Sequence, residues 1–199
     1  MNESARTLLE LVACLARVIH GETRGRALEA GLQPVHLVAL SYLRDANRYS
    51  NTPQALTEFL GSTKGTVSQS LLLLYRKGLV ERQADPQDGR VVRLRLSAAG
   101  EKLLRDADLS SQWEAAVGAL SPADVRLASQ ALAMLLRSLQ RGRGGRSFGV
   151  CATCALFDRL GPRSFRCGLT GESLSPSDSR KICREHTLPE QDLNPGVGK

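Results

Sequence analysis

Four of the chain's five cysteines lie in its last quarter, as Cys151-x-x-Cys154, then Cys167 and Cys183, with His186 three positions further on. Thiolates at such spacing are ligands for zinc and for iron–sulfur clusters alike. One close pair, one distant cysteine and one further cysteine can close a tetrahedral sulfur site. The predicted ligand set is Cys151, Cys154, Cys167 and Cys183, with His186 as the alternative ligand if the metal is zinc. Ser175-Pro176-Ser177-Asp178 has the cap, proline and acid of a helix start, which would set Cys183 and His186 on one helical face. The segment has few large apolar residues, so a bound metal would supply folding free energy that its core lacks. Zinc is slightly favoured over an iron–sulfur cluster, although Ala152-Thr153 and Ala155 stand where many zinc knuckles carry Pro or Gly. Metal-free redox thiols are the third option.

A second chemistry lies upstream, over residues 52–100. Thr52-Pro53 suits a helix start, and Leu56, Phe59 and Leu60 share a face before Gly61 stops the helix. Ser62 is expected to cap the next helix, with Val67, Leu71 and Leu74 as its inward stripe. That leaves Ser62, Thr63, Lys64, Thr66, Ser68, Gln69 and Ser70 mostly on the other side. Hydroxyls and an amide can hydrogen-bond base edges in a major groove, and a lysine answers phosphate charge. A merely solvated helix face has the same composition, and alone the pattern does not decide. Downstream, Leu79-Val80 and the run from Val91 to Leu96 are strand-like, the second alternating apolar residues with Arg. Between them, 85–90 (Asp-Pro-Gln-Asp-Gly-Arg) is a turn by composition.

These residues resemble the MarR family of winged helix-turn-helix regulators. The shared signature is Gly78-Leu79-Val80-Glu81-Arg82, then Asp85-Pro86-x-Asp88-Gly89-Arg90, then Leu94-x-Leu96-Ser97-x-x-Gly100. The resemblance implies that Arg90 enters a minor groove beside the site read by the helix, with Asp88 orienting it. An arginine there gains from the negative potential of a narrow groove. It also implies a homodimer built from the two chain ends, a palindromic double-stranded DNA operator and the option of a small-molecule effector. It spans roughly residues 5 to 140 and stops short of the cysteines.

The elements that must position these groups follow from composition and patterning. A chain of 199 residues holds one ordinary domain and a small appendage. Its net charge of +7 permits a polyanionic partner without requiring one. The apolar segment from Thr7 to Ile19 is interrupted by Glu10 and Arg17, so neither a membrane span nor a signal peptide is expected. A cytoplasmic protein with reduced thiols is the expectation. Residues 8–19 carry two apolar stripes, predicting a helix covered from two directions, one of them a partner chain, with Cys14 as a small buried hydrophobe. A break is expected over 21–31, a helix from Pro34 to about Leu43, and a helix from Ser97 running on to Trp113 and Val117. Ser121-Pro122-Ala123-Asp124 opens another helix, whose Val125, Ala128, Leu132, Leu135 and Leu139 form a seam for a second helix.

The expected architecture is mainly α with a small β-wing (α+β), a winged helix-turn-helix with N- and C-terminal dimerisation helices and a small metal-stabilised C-terminal segment. Its parts are a winged-helix domain over 1–140, comprising a DNA-binding lobe at 34–100 and dimerisation helices at 1–30 and 101–140. A basic Gly/Arg linker at 141–149, a cysteine-rich metal segment at 150–188 and a tail at 189–199 complete it. The expected function is a non-enzymatic DNA-binding regulator whose metal site senses redox state or metal. The rivals are a purely structural zinc or protein-docking module, and a thiol redox enzyme using Cys151-x-x-Cys154, which lacks the βαβ setting such enzymes use.

Overall fold

The first helix, α1 (Glu3–Glu29), starts where Asn2 accepts the Ala5 N–H on its side chain, at 2.9 Å. In the computed structural model, which describes residues 2–86, 88–107, 110–141 and 147–189, this helix passes straight through Gly21 and Gly25. The break expected over 21–31 is therefore corrected to a turn after Glu29, at Ala30 and the left-handed Gly31. A glycine costs a helix only about 1 kcal/mol, and fully buried Ala27 anchors the last turn in the core. Both apolar stripes of α1 stay largely exposed in the single chain, Leu11 at 58% on one and Leu9 at 58% on the other. Cys14 is exposed as well, not buried as expected, because the stripe-bearing part of α1 projects beyond the core.

Pro34 opens α2 (Pro34–Asp45), which buries Leu37, Leu40, Tyr42 and Leu43. Its first turn is closed by His36, whose Nδ1 accepts the Gln33 N–H at 3.1 Å. Thr52 caps α3 (Pro53–Leu60) through the Ala55 N–H, and Gly61 ends it at φ 58°. The following helix, α4 (Lys64–Arg76), is capped by Thr63, one residue later than the expected Ser62. Two antiparallel strands, β1 (Val80–Ala84) and β2 (Val92–Leu96), then pair from Val80 opposite Leu96 to Ala84 opposite Val92. Leu40, Leu56, Leu71, Leu74, Leu94 and Leu104 form one core beneath this head.

Ser97 caps α5 (Ala98–Asp106). The single helix expected to run on to Val117 is instead two, α5 and α6 (Ser110–Gly118). Ser121 then opens α7 (Pro122–Arg141), accepting the Asp124 N–H at 3.1 Å. Its seam is uncovered in one chain, with Leu132 and Leu139 exposed. The linker residues 142–146 and the tail residues 190–199 lie outside the described residues.

Among the described residues the cysteine unit spans 147–189. It comprises β3 (Gly149–Val150), a 3-10 turn (Cys151–Thr153), β4 (Phe157–Arg159), β5 (Phe165–Cys167), β6 (Ser173–Leu174), a second 3-10 turn (Asp178–Arg180) and β7 (Ile182–Cys183). β3 pairs with β7, and β5 lies between β4 and β6, all antiparallel. The helix expected from Ser175 is corrected to one turn. Ser175 and Asp178 do cap each other, but only three residues follow before β7, too few to offset the cost of nucleating a helix. Cys183 therefore sits on a strand opposite Gly149 and shares no helical face with His186.

Candidate functional site

The head presents one polar helix face. On α4 the stripe Val67, Ser70, Leu71 and Leu74 is buried, while Thr63, Lys64, Thr66, Ser68 and Gln69 are exposed and Ser62 is half-buried. Ser70, expected on the outer face, turns inward instead. The Thr63 hydroxyl accepts the Thr66 N–H at 3.2 Å and meets the Thr66 hydroxyl at 2.9 Å, tying the start of the helix together. Ser68 and Gln69 stand one turn further along the same face.

Beside it, the wing tip is shaped by two aspartates. Asp85 accepts the Asp88 N–H on its carboxylate, and Asp88 accepts the Arg90 N–H at 3.0 Å. Asp88 thus fixes the backbone that carries Arg90, whose side chain is exposed at the tip. At the wing root, Arg93 forms an ion pair with Asp85 at 2.7 Å and donates to the Arg48 carbonyl.

The four tail cysteines line one cleft of about 620 Å³. Its other walls are the wing residues 90–93, the start of α3 at 52–54, and the apolar side chains of Leu156, Phe157, Leu169 and Leu174. The Cys151 and Cys183 side chains interact. The contact pulls Cys183 down to about 6, against its burial, and the same contact with burial pushes Cys151 up. Asn47 Nδ2 donates to Cys151 Sγ at 3.6 Å, and the Leu156 and Thr187 N–H groups point at Cys154 Sγ at 3.5 and 3.4 Å. Among the described residues no three His, Cys, Asp or Glu side chains are grouped to hold one metal ion. His186 is engaged elsewhere: it is buried, its Nδ1 lies 2.5 Å from the Ser147 hydroxyl and its Nε2 3.0 Å from that of Thr153. Burial lowers its pKa. Its expected role as an alternative ligand finds no support in this placement.

The unit is built into the head. Phe148 packs edge-on to Tyr42 and Phe59, with centroids 6.1 and 5.5 Å apart. Asn47 N–H donates to the Ile182 carbonyl at 2.8 Å, and Arg184 donates its N–H to the buried Ser50 hydroxyl and its guanidinium to Glu58 at 3.0 Å. Arg48 pairs with Glu172. None of these pairings was marked in the sequence, where 47–51 reads only as a polar loop. Asn47 and Cys151 are 104 residues apart, and no local pattern announces such a pairing.

The model of the MarR family matches residues 30–91, from the end of α1 to the wing. An uncharacterised HTH-type transcriptional regulator of Bacillus subtilis strain 168, YhbI, is 30% identical over 112 residues, covering 54% of this chain and 72% of that protein. The chain belongs to the MarR family. As a MarR-family protein it is a DNA-binding transcriptional regulator and not an enzyme. Its fold is that of solved MarR-family structures. A MarR regulator from Methanosarcina mazei Go1 superposes with a TM-score of 0.57 at 21% identity, over 68% of this chain and 98% of that one. The Staphylococcus aureus MepR–DNA complex gives 0.55 at 23% identity, over 65% and 94%. No helix among the described residues is long and apolar enough to cross a membrane.

Proposed function

We propose that two copies of this chain grip a palindromic operator in the cytoplasm, each laying α4 in the major groove and Arg90 in the flanking minor groove. The observation that carries this is the division of α4 itself. Val67, Leu71 and Leu74 are buried, while Thr63, Lys64, Thr66, Ser68 and Gln69 are left free beside an exposed wing arginine. The start of α4 adds unsatisfied N–H groups and a positive dipole end for a phosphate. The MepR–DNA complex supports this use of the fold. A homodimer through α1, α6 and α7 is supported by their exposed leucines, by Trp113 and by Met134, an apolar surface too extended for a lone soluble helix pair. Two heads related by a dyad then meet half-sites about one helical turn apart. A cleft of about 310 Å³ between α1, α2 and α5, walled by Leu37, Val38, Phe59 and Leu104, would admit a small apolar effector.

The four cysteines are proposed as ligands of a sulfur-bound metal centre, zinc or an iron–sulfur cluster, that senses metal or redox state. Their shared cleft and the N–H donors aimed at two of the sulfurs support it. Gel shifts at moderate salt against a duplex selected from a random pool test the DNA reading. Arg90→Ala is expected to weaken binding to most sequences, and Gln69→Ala to relax preference at particular bases. Normal binding by Arg90→Ala refutes the wing assignment.

A further inference from the structure

The cysteine cleft has the wrong shape for a single ion. Zinc holds four sulfurs at about 2.3 Å, which brings them within roughly 3.8 Å of one another. Here the four cysteines share a cleft of about 620 Å³, and among the described residues no three His, Cys, Asp or Glu side chains are grouped to hold one ion. The nitrogen donor that zinc sites often recruit, His186, is held away on two hydroxyls. Several irons and sulfides form a larger body that keeps its cysteines apart and offers sulfide faces to apolar side chains. Leu156, Phe157, Leu169 and Leu174 supply such walls.

The cleft also has a mechanical connection. Cys167 closes a turn with Glu172, donating its N–H to the Glu172 carbonyl at 2.9 Å. Glu172 pairs with Arg48, and the Arg48 carbonyl holds Arg93 at the root of the wing, where Arg93 also pairs with Asp85. On the other side of the unit, Gln140 of α7 donates to the Ser147 carbonyl at 2.9 Å.

We propose that this cleft seats an iron–sulfur cluster on Cys151, Cys154, Cys167 and Cys183, and that its occupancy is read in the same subunit by the wing through the Cys167 turn, Glu172 and Arg48. The second half rests on the DNA grip proposed above. Drawing Cys167 onto the cluster moves the turn that carries Glu172, and with it the backbone oxygen that positions Arg93. The effect reaches the wing of the same chain without passing through the dimer helices.

The test uses the full-length protein without oxygen and a preassembled four-iron, four-sulfide cluster carrying four small external thiolates. Each incoming cysteine forms an Fe–S bond and hands its proton to a departing thiolate, so no electrons move. Visible absorption and four irons per chain are expected, retained by Cys14→Ser and lost with Ser at Cys151 or Cys167. Failure of the folded protein to take up the cluster, or its displacement by one equivalent of zinc, overturns the assignment. Fluorescence polarisation with the selected duplex then compares loaded and unloaded protein. A change between roughly 5- and 150-fold is expected, the usual range of coupling between two sites. In Glu172→Ala, which still takes up the cluster, that ratio is expected to fall at least by half. Equal affinity in both states, or an unaltered ratio in Glu172→Ala, overturns the wing readout. Absence of duplex binding in both states instead strikes the DNA grip itself, with the absorption result still standing for the cluster.

Discussion

Alanine at Gly149 would place a methyl group where the structure has the His186 ring. An added Cβ would lie 2.6 Å from both Cδ2 and Cγ and 2.7 Å from Cε1. A flexible surface side chain would swing aside, but this ring is 4% exposed and is held by hydroxyls at both nitrogens. Either the strand β3 shifts away from β7 or the ring leaves its two partners. Forcing an extra methyl into such a site costs about 1–3 kcal/mol, and losing the ring's contacts costs a further 0.5–1.5 kcal/mol or so per hydrogen bond. At about 2–4 °C per kcal/mol for a chain of this length, overpacking alone lowers the melting temperature by roughly 2–12 °C. Scanning calorimetry of Gly149→Ala, His186→Ala and the double variant measures this as a cycle. His186→Ala costs stability on its own, and with the ring gone Gly149→Ala should add almost nothing. Two fully additive losses, or an unchanged melting temperature in Gly149→Ala, would refute the packing argument.

Two further outcomes follow from the same physics. Burial, and after it the charge of Lys77, hold His36 below its ordinary 6.5. The unfolded chain therefore binds a proton first on acidification, so this contribution to stability is complete above pH 6.5 and shrinks as pH falls toward the lower folded value. His36→Gln keeps an acceptor for the Gln33 N–H without the titration. Its stability relative to wild type, followed by urea unfolding, should rise as the pH drops below 6.5, and a constant difference would refute the assignment. Leu15→Glu puts a charge on the exposed stripe of α1, where Leu15 is 43% exposed in the single chain. Sedimentation velocity should show a dimer for wild type and monomers for the variant, whereas a monomeric wild type would remove the dimer.

The head was legible because its signals are local. Thr52-Pro53 and Gly61 bracket α3 by fixing caps at both ends, and the buried spacing of Val67, Leu71 and Leu74 leaves the hydroxyl face no other direction to point. The wing turn was legible for the same reason, since Asp85 and Asp88 bond to backbone only two or three residues away. Gly21 and Gly25 misled because their cost is small and Ala27, beyond them, is sealed in the core. Ser175 and Asp178 form the expected cap, but β7 claims Ile182 and Cys183 by pairing with β3, a partner more than thirty residues earlier. The seating of the cysteine unit was the least visible feature. It depends on Asn47, Arg48, Ser50 and Phe148, which meet their partners only across the fold. The cysteine unit shares its cleft with the wing residues 90–93 and the start of α3.

The most direct test of the account is amide hydrogen exchange with and without the selected duplex. Protection is expected over 62–70 and 85–92, where α4 and the wing tip would be covered, with the outer faces of α1 and α7 unchanged. Protection elsewhere with those two segments exchanging freely would contradict the central claim that this helix face and this arginine grip the DNA.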